Sequence, residues 1–474
     1  MVKVPKLALR YGGYVLSVGT ARVVGVLISA ATFPFLLRRL GVEMYGSWSY
    51  VLVICGFLDT VANPGLMSFV TQQVAARRLE AVQTVSDVLT LRLLTTLVAV
   101  AIILTVAAFD SNPTIRLLLR FYGVAIFLTN WIAADNLLGA MEMFHLRSLL
   151  AVTQQGLYAF GIFVFVRSSK DVIWLPISIV VSVFITNVWG WFGLWRAGFQ
   201  PTLCLAPHRW KAIMVPSAHY GAATVTSTLY HRTGHLVVRW LLGEHALGLY
   251  AAAVRFVDIL RQFITLVLGV LTPRIALSGQ SEERLRRLTQ LAVSIVALLS
   301  IPLMFGTLAT ARLVVPWVMG ASYADCVPLV RWMAPFQVAA PAATLFSGTV
   351  LYALGRYRAY LISTTGGAIA AVVLYFTLTP WLGLKGASSA FVAGELAVAL
   401  VAYALIPSAL KDVWKNPTVV IATAGTIPML LAIGLASSRI SQPLLIVAIG
   451  SVVYLVSCAA MGGRRLWGEL HLLS

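Results

Sequence analysis

The stretch LYAAAVRFVDILRQFITLVLG, Leu249–Gly269, is long and apolar enough to cross a bilayer, yet it holds Arg255, Asp258 and Arg261. About 20 mostly apolar residues, rising about 1.5 Å each, match the ~30 Å hydrocarbon layer. A charged side chain at the centre of that layer costs roughly 2.5–3.5 kcal/mol even on the forgiving insertion scale. Three charges at helical spacing therefore imply a hydrated cavity enclosed by protein along one face of a membrane helix.

The rest of the chain has the same character. Of its 474 residues 59% are hydrophobic and 11% charged, with mean hydropathy +0.89. Soluble domains carry about 25% charged residues, so most of this chain must face lipid. Cys55, Cys204, Cys326 and Cys458 lie far apart and read as small buried hydrophobes, not as a disulfide frame or metal ligands. No cofactor and no metal is expected. The basic and then apolar start, Met1–Gly19, resembles a signal peptide, but its apolar run continues to about Leu37 and reads as a retained first helix.

Windows of about 20 mostly apolar residues yield fourteen candidate spans, from 12–37 and 44–70 to 418–436 and 443–462. Those near 213–241 and 326–354 are the most polar. Connections are short, so the expected architecture is an all-α polytopic membrane protein. With the N-terminus in the cytoplasm, the cytoplasmic connections collect nineteen of the 35 Lys and Arg residues and the opposite side seven. Cytoplasmic loops carry the excess of basic residues, which places both termini inside.

The nine remaining basic residues lie within spans, and all are arginine. Arg92, Arg120, Arg239 and Arg331 are near helix ends, where a long side chain can reach the interface. Arg22 and Arg261 lie roughly 15–20 Å from a helix end, with Arg255 and Arg232 somewhat toward the outer half. The span acids are Asp59, Asp135, Asp258 and Glu395. Nine arginines against four acids cannot all be internal ion pairs, so the cavity is net cationic and implies an anionic passenger. The planar guanidinium binds phosphate or carboxylate bidentately and keeps its proton when buried. His231 and His235 share a helix face at metal-compatible spacing, but no acid or cysteine accompanies them; His219 lies on the same span.

The chain also repeats itself. LGVEMYGSW (Leu40–Trp48) and LGEHALGLY (Leu242–Tyr250) match at Leu40/Leu242, Gly41/Gly243, Gly46/Gly248 and Trp48/Tyr250, all at one offset of 202. Each copy joins the first two helices of a six-helix half. A weaker echo relates LLGAMEMFHL (Leu137–Leu146) to YALGRYRAYL (Tyr352–Leu361). The expected organisation is a six-helix lobe over 1–205, a second over 206–406, and two further helices with a cytoplasmic tail over 407–474. Two lobes in the same orientation suggest rocking about a midplane site.

Pro34–Leu66, PFLLRRLGVEMYGSWSYVLVICGFLDTVANPGL, resembles the opening of the Wzx-type polysaccharide flippases of the multidrug/oligosaccharidyl-lipid/polysaccharide (MOP) exporter superfamily, with its MATE-like fold. Val318–Pro335 (VMGASYADCVPLVRWMAP), Leu351–Leu361 and Leu382–Leu400 (LGLKGASSAFVAGELAVAL) are similar to the same family. The resemblance implies fourteen helices in a 6+6+2 arrangement, in the bacterial inner membrane. It implies flipping of an undecaprenyl diphosphate-linked oligosaccharide between leaflets for O-antigen, capsule or exopolysaccharide synthesis, with a polymerase and a chain-length regulator as partners and no nucleic acid. It places Arg22 and Arg255 on the helices whose arginines line the family's central cavity. Arg261 and Arg232 join them as candidate substrate contacts, and Asp258, Asp59 and Glu395 as coupling or charge partners. The chain departs from the family at Asn63-Pro64-Gly65, where relatives often carry an acid before the glycine. A drug/cation antiporter of the same superfamily would need carboxylates in the cavity, which the arginine excess opposes. A membrane enzyme would need a catalytic carboxylate or a large outer loop, and the longest outer connection, about 311–325, is too small.

Overall fold

The computed structural model describes residues 4–67, 69–70, 81–131, 133–204, 206–278 and 281–470. Among the described residues there is no β-strand. The helical stretch Val4–Ala62 breaks at Gly41 into α1 (4–40) and α2 (42–62). There follow α3 (Ala81–Phe109), α4 (Pro113–Asn130), α5 (Phe144–Phe165) and α6 (Trp174–Arg196). Pro207–Leu277 breaks at Gly243 into α7 (207–242) and α8 (244–277). Next come α9 (Glu282–Met319) and α10 (326–351), then α11 (Tyr357–Leu382) and α12 (Leu384–Leu405). The last two are α13 (Pro417–Ser437) and α14 (Pro443–Leu470). Each of the fourteen lies on one of the fourteen spans read from the sequence.

Local chemistry sets several ends. Asn112 accepts from Thr114 N at 2.9 Å ahead of Pro113, and Asn416 accepts from Thr418 N at 3.0 Å ahead of Pro417. A side-chain cap followed by proline is a strong helix start, because proline gives up a backbone donor that would have no partner there. Ser281 caps α9, and Glu282 and Glu283 fill its first turn, where carboxylates favour the helix dipole. Pro335 sits at a break in α10 between Met333 and Phe336, Pro341 lies inside the part that continues, and the helix ends in a π-helical stretch over Thr344–Leu351.

Gly41 (φ 73°, ψ 175°) and Gly243 (φ 86°, ψ −178°) adopt nearly the same conformation. That region is essentially restricted to glycine, so the repeat found in the sequence is a repeated helix break. The aromatic partners Trp48 and Tyr250 are both buried. The second echo also has a backbone counterpart, two residues from the pairing of the quoted windows. Glu142 (φ 60°) and Gly355 (φ 70°) both precede a helix start, and the caps that follow them, Met143 and Arg356, have φ −83° and −81°.

Contacts divide the chain into Met1–Arg232 and Thr233–Ser474, with the division inside α7. In the first unit Leu66, Val88, Leu138 and Leu194 belong to one buried apolar cluster. In the second, Leu291, Ala343, Phe346 and Val398 centre another, and α13 and α14 pack together and against α9. α11 and α12 approach closely because Gly367 and Gly386 carry no side chain. A Cβ there would overlap Val398 and the Leu378 carbonyl respectively. Small residues at the contact are the usual basis of tight packing between membrane helices. Leucine, valine and phenylalanine side chains cover much of the exposed surface, as lipid contact demands.

Nine helical stretches among the described residues are long and apolar enough to span a membrane by length and composition alone.

Candidate functional site

In the second unit, α8 gathers charge within two turns. Arg261 Nε and Nη2 both donate to Asp258 Oδ1, at 3.0 and 2.6 Å. Gln262 Nε2 donates to Asp258 Oδ2 at 2.9 Å, and Arg255 Nη1 lies 3.5 Å from the same oxygen. The Arg261 guanidinium also stands 5.9 Å over the Phe336 ring of α10. Beside Phe336, the fully buried Gln337 donates to the Val257 carbonyl at 3.0 Å and ties α10 to this turn of α8. Asp258 thus spends most of its acceptor capacity on Arg261 and Gln262. Arg255 makes only the longest of these contacts, and its side chain is 41% exposed against 23% for Arg261. Two guanidinium groups and one carboxylate give Arg255, Arg261 and Asp258 together one net positive charge. Such a group can hold an anion.

In the first unit, Leu52, Gly56, Asp59 and Thr60 share one face of α2, because 52/56 and 56/60 are four residues apart and 56/59 three. Arg232 of α7 lies along that face. Its Nη1 donates to the Leu52 carbonyl at 2.5 Å, its guanidinium occupies the space a Gly56 Cβ would take, and its charge acts on Asp59. Asn130 Nδ2 of α4 donates to Asp59 Oδ1 at 2.9 Å, and Thr60 Oγ1 pairs with Thr228 Oγ1 at 3.1 Å.

The remaining candidates are dispersed. Arg22 on α1 is exposed, with Val23 and Val24 exposed beside it. Glu395 of α12 is buried, and its charge acts on Tyr375 of α11, whose hydroxyl lies 3.0 Å from that of Tyr250. His235 packs edge-on against Tyr250 at 5.2 Å, His231 is exposed, and the side chain of His219 is outside those described. No cluster of metal-ligating side chains occurs among the described residues.

Arg92 departs from the expected reach to an interface. It is 1% exposed, enclosed in the first unit with Nη1 donating to Met67 Sδ at 3.0 Å. The contact with the buried Met67 keeps the guanidinium inside the unit. Sequence reasoning also passed over Gly56, Asn130, Gln262 and Gln337. Gln262 had a signal, one turn after Asp258 on the same face. The others act across helices and had none.

A family described as polysaccharide biosynthesis protein matches residues 14–279, more than half of the chain. The chain belongs to this family. It is 24% identical over 372 residues to the succinoglycan biosynthesis transport protein ExoT of Rhizobium meliloti (strain 1021), spanning 71% of this chain and 69% of that one. The lipid II flippase MurJ in an inward closed conformation superposes with a TM-score of 0.74 at 14% identity, covering 95% of this chain and 99% of MurJ. An inward-facing multidrug resistance MATE family transporter of the MOP superfamily gives 0.62 at 14% identity, covering 85% and 99%. At such identity the structural likeness speaks to the fold alone, which this chain shares with MurJ and the MATE transporter. These three relatives are transporters and a flippase, not enzymes.

Proposed function

We propose that this family member flips an undecaprenyl diphosphate-linked oligosaccharide from the cytoplasmic to the outer leaflet of the bacterial inner membrane, for surface polysaccharide synthesis. Arg255 is the diphosphate contact. The observation that carries this reading is the charge group on α8, where the Arg255 and Arg261 guanidinium groups stand against the one carboxylate of Asp258, and the Arg255 side chain is the more exposed of the two. A sugar diphosphate cannot enter hydrocarbon unaided, because its charges and hydroxyls would lose their water. Fixed guanidinium groups replace that water, while the isoprenoid tail stays in lipid. Arg22 is a second cationic contact, in the first unit. Arg261 and Arg232 act behind these two by holding Asp258 and α2 in place. Family membership and the similarity to a succinoglycan transport protein support a glycan-linked passenger.

The test is surface polysaccharide in a strain lacking the chromosomal copy, with membrane level checked by immunoblot. Arg255→Ala should insert normally and lower export by about tenfold or more, the value of a lost hydrogen bond to a charged group. Arg255→Lys keeps the charge and loses the fork, and should fall between wild type and Arg255→Ala. Full export by Arg255→Ala refutes the assignment.

A further inference from the structure

We infer that a groove in the second unit seats one acyl chain of an anionic phospholipid, with the headgroup on a basic cluster at the groove's end. The groove measures about 550 Å³ and is almost wholly apolar; Ile301, Phe305, Val392, Leu400, Tyr403 and Trp414 line it. Along α12 it runs from Val392 to Tyr403, roughly 16 Å at about 1.5 Å per residue. That is about half of the ~30 Å hydrocarbon layer, one leaflet's depth. Aromatic rings stand at its end: Phe346 lies 5.5 Å from Tyr403 and 5.2 Å from Trp414. Aromatic side chains of this kind mark the level of the lipid headgroups.

The charge at that level is basic. The 3₁₀ segment Ser408–Lys415 buries Leu410 and Val413 and exposes Lys411, Asp412 and Lys415, so it lies flat along the helix ends. Tyr403 Oη of α12 donates to the Lys411 carbonyl at 2.5 Å, and Asn416 Nδ2 donates to Ser294 Oγ of α9 at 2.7 Å, which hold the segment against α12 and α9. The first turns of α9 expose Arg284, Arg286 and Arg287, and Arg286 is near enough for its charge to act on Asp412. Arg287 is paired with Glu283, and Lys415 with Asp412 at 2.7 Å. Residues 282–287 and 411–415 therefore hold five cations against three acids, an excess of two positive charges beside Trp414. Basic pockets between membrane helices are sites for anionic headgroups, and here the acyl groove opens beneath one. A zwitterionic lipid would fill the groove without using the charge.

The experiment is native mass spectrometry of the full chain with equimolar phosphatidylglycerol and phosphatidylethanolamine of identical acyl chains. Phosphatidylglycerol adducts should dominate by roughly tenfold, given the attraction each basic residue contributes near a membrane surface. Arg286→Gln with Lys411→Gln should bring the ratio near parity while total bound lipid is kept. Leu400→Trp fills the groove from an exposed position and should remove one adduct of either lipid. Thermal denaturation confirms that each variant is folded. Parity in the wild type, a preference that survives the double charge variant, or an adduct count unchanged in folded Leu400→Trp would each overturn the inference.

Discussion

Arg255 and Arg261 stand six residues apart on α8, and the single carboxylate between them is shared unequally. Arg255→Ala with Asp258→Asn separates passenger binding from internal neutralisation. If Arg255 only balanced Asp258, removing both charges would restore export; if it binds the diphosphate, the double variant stays inactive, which is the expected result. In the first unit, Gly56 is the residue to change. A valine there displaces the Arg232 guanidinium from its place beside the Leu52 carbonyl and should destabilise by about 1–3 kcal/mol. The readout is the thermal midpoint in detergent, with Gly56→Ala falling less; an unchanged midpoint for Gly56→Val would mean that Arg232 has an equally good alternative seat. These two sites differ in how visible they were beforehand. The α8 group was legible because its members are local, three and four residues apart, and charge in an apolar run is conspicuous. The cradle at Gly56 was hidden, since its partner lies 176 positions away and glycine in a membrane helix is common.

At the scale of elements, the two helix breaks carry the architecture. Gly41 and Gly243 turn the chain between α1 and α2 and between α7 and α8, with backbone angles that side chains resist. Gly41→Val and Gly243→Val should each cost about 1–3 kcal/mol and lower the yield of folded protein from membranes. Gly366→Val, at a helical glycine with open space around it, is the control and should be tolerated. Equal yields for all three would remove the strain argument. The offset of 202 exposed this pair because both halves kept glycine. The second echo was harder to align, since one half solves its helix start with Gly355 and the other with Glu142 at positive φ. Identity at a position failed there while the backbone geometry persisted.

For the molecule as a whole, orientation follows from two independent counts. Fourteen membrane helices, an even number, would put both ends of the described chain on one side of the membrane, which we propose is the cytoplasmic side. Basic residues in the connections divide nineteen to seven in favour of that side. The first unit contributes Arg196, Arg209 and Lys211 to it, and the second contributes Arg284, Arg286 and Arg287. The bias is therefore spread along the chain, and no single loop sets it. Moving charge past one helix should leave the orientation intact. Reporter fusions or cysteine labelling should find both termini cytoplasmic, together with the 408–415 segment, and should find the 320–325 connection outside. Neutralising Arg284, Arg286 and Arg287 together should leave this pattern unchanged, because sixteen basic residues would still oppose seven. A periplasmic C-terminus would break the even count and with it the 6+6+2 arrangement. Inversion by the triple variant would show instead that α9 alone carries the topological signal.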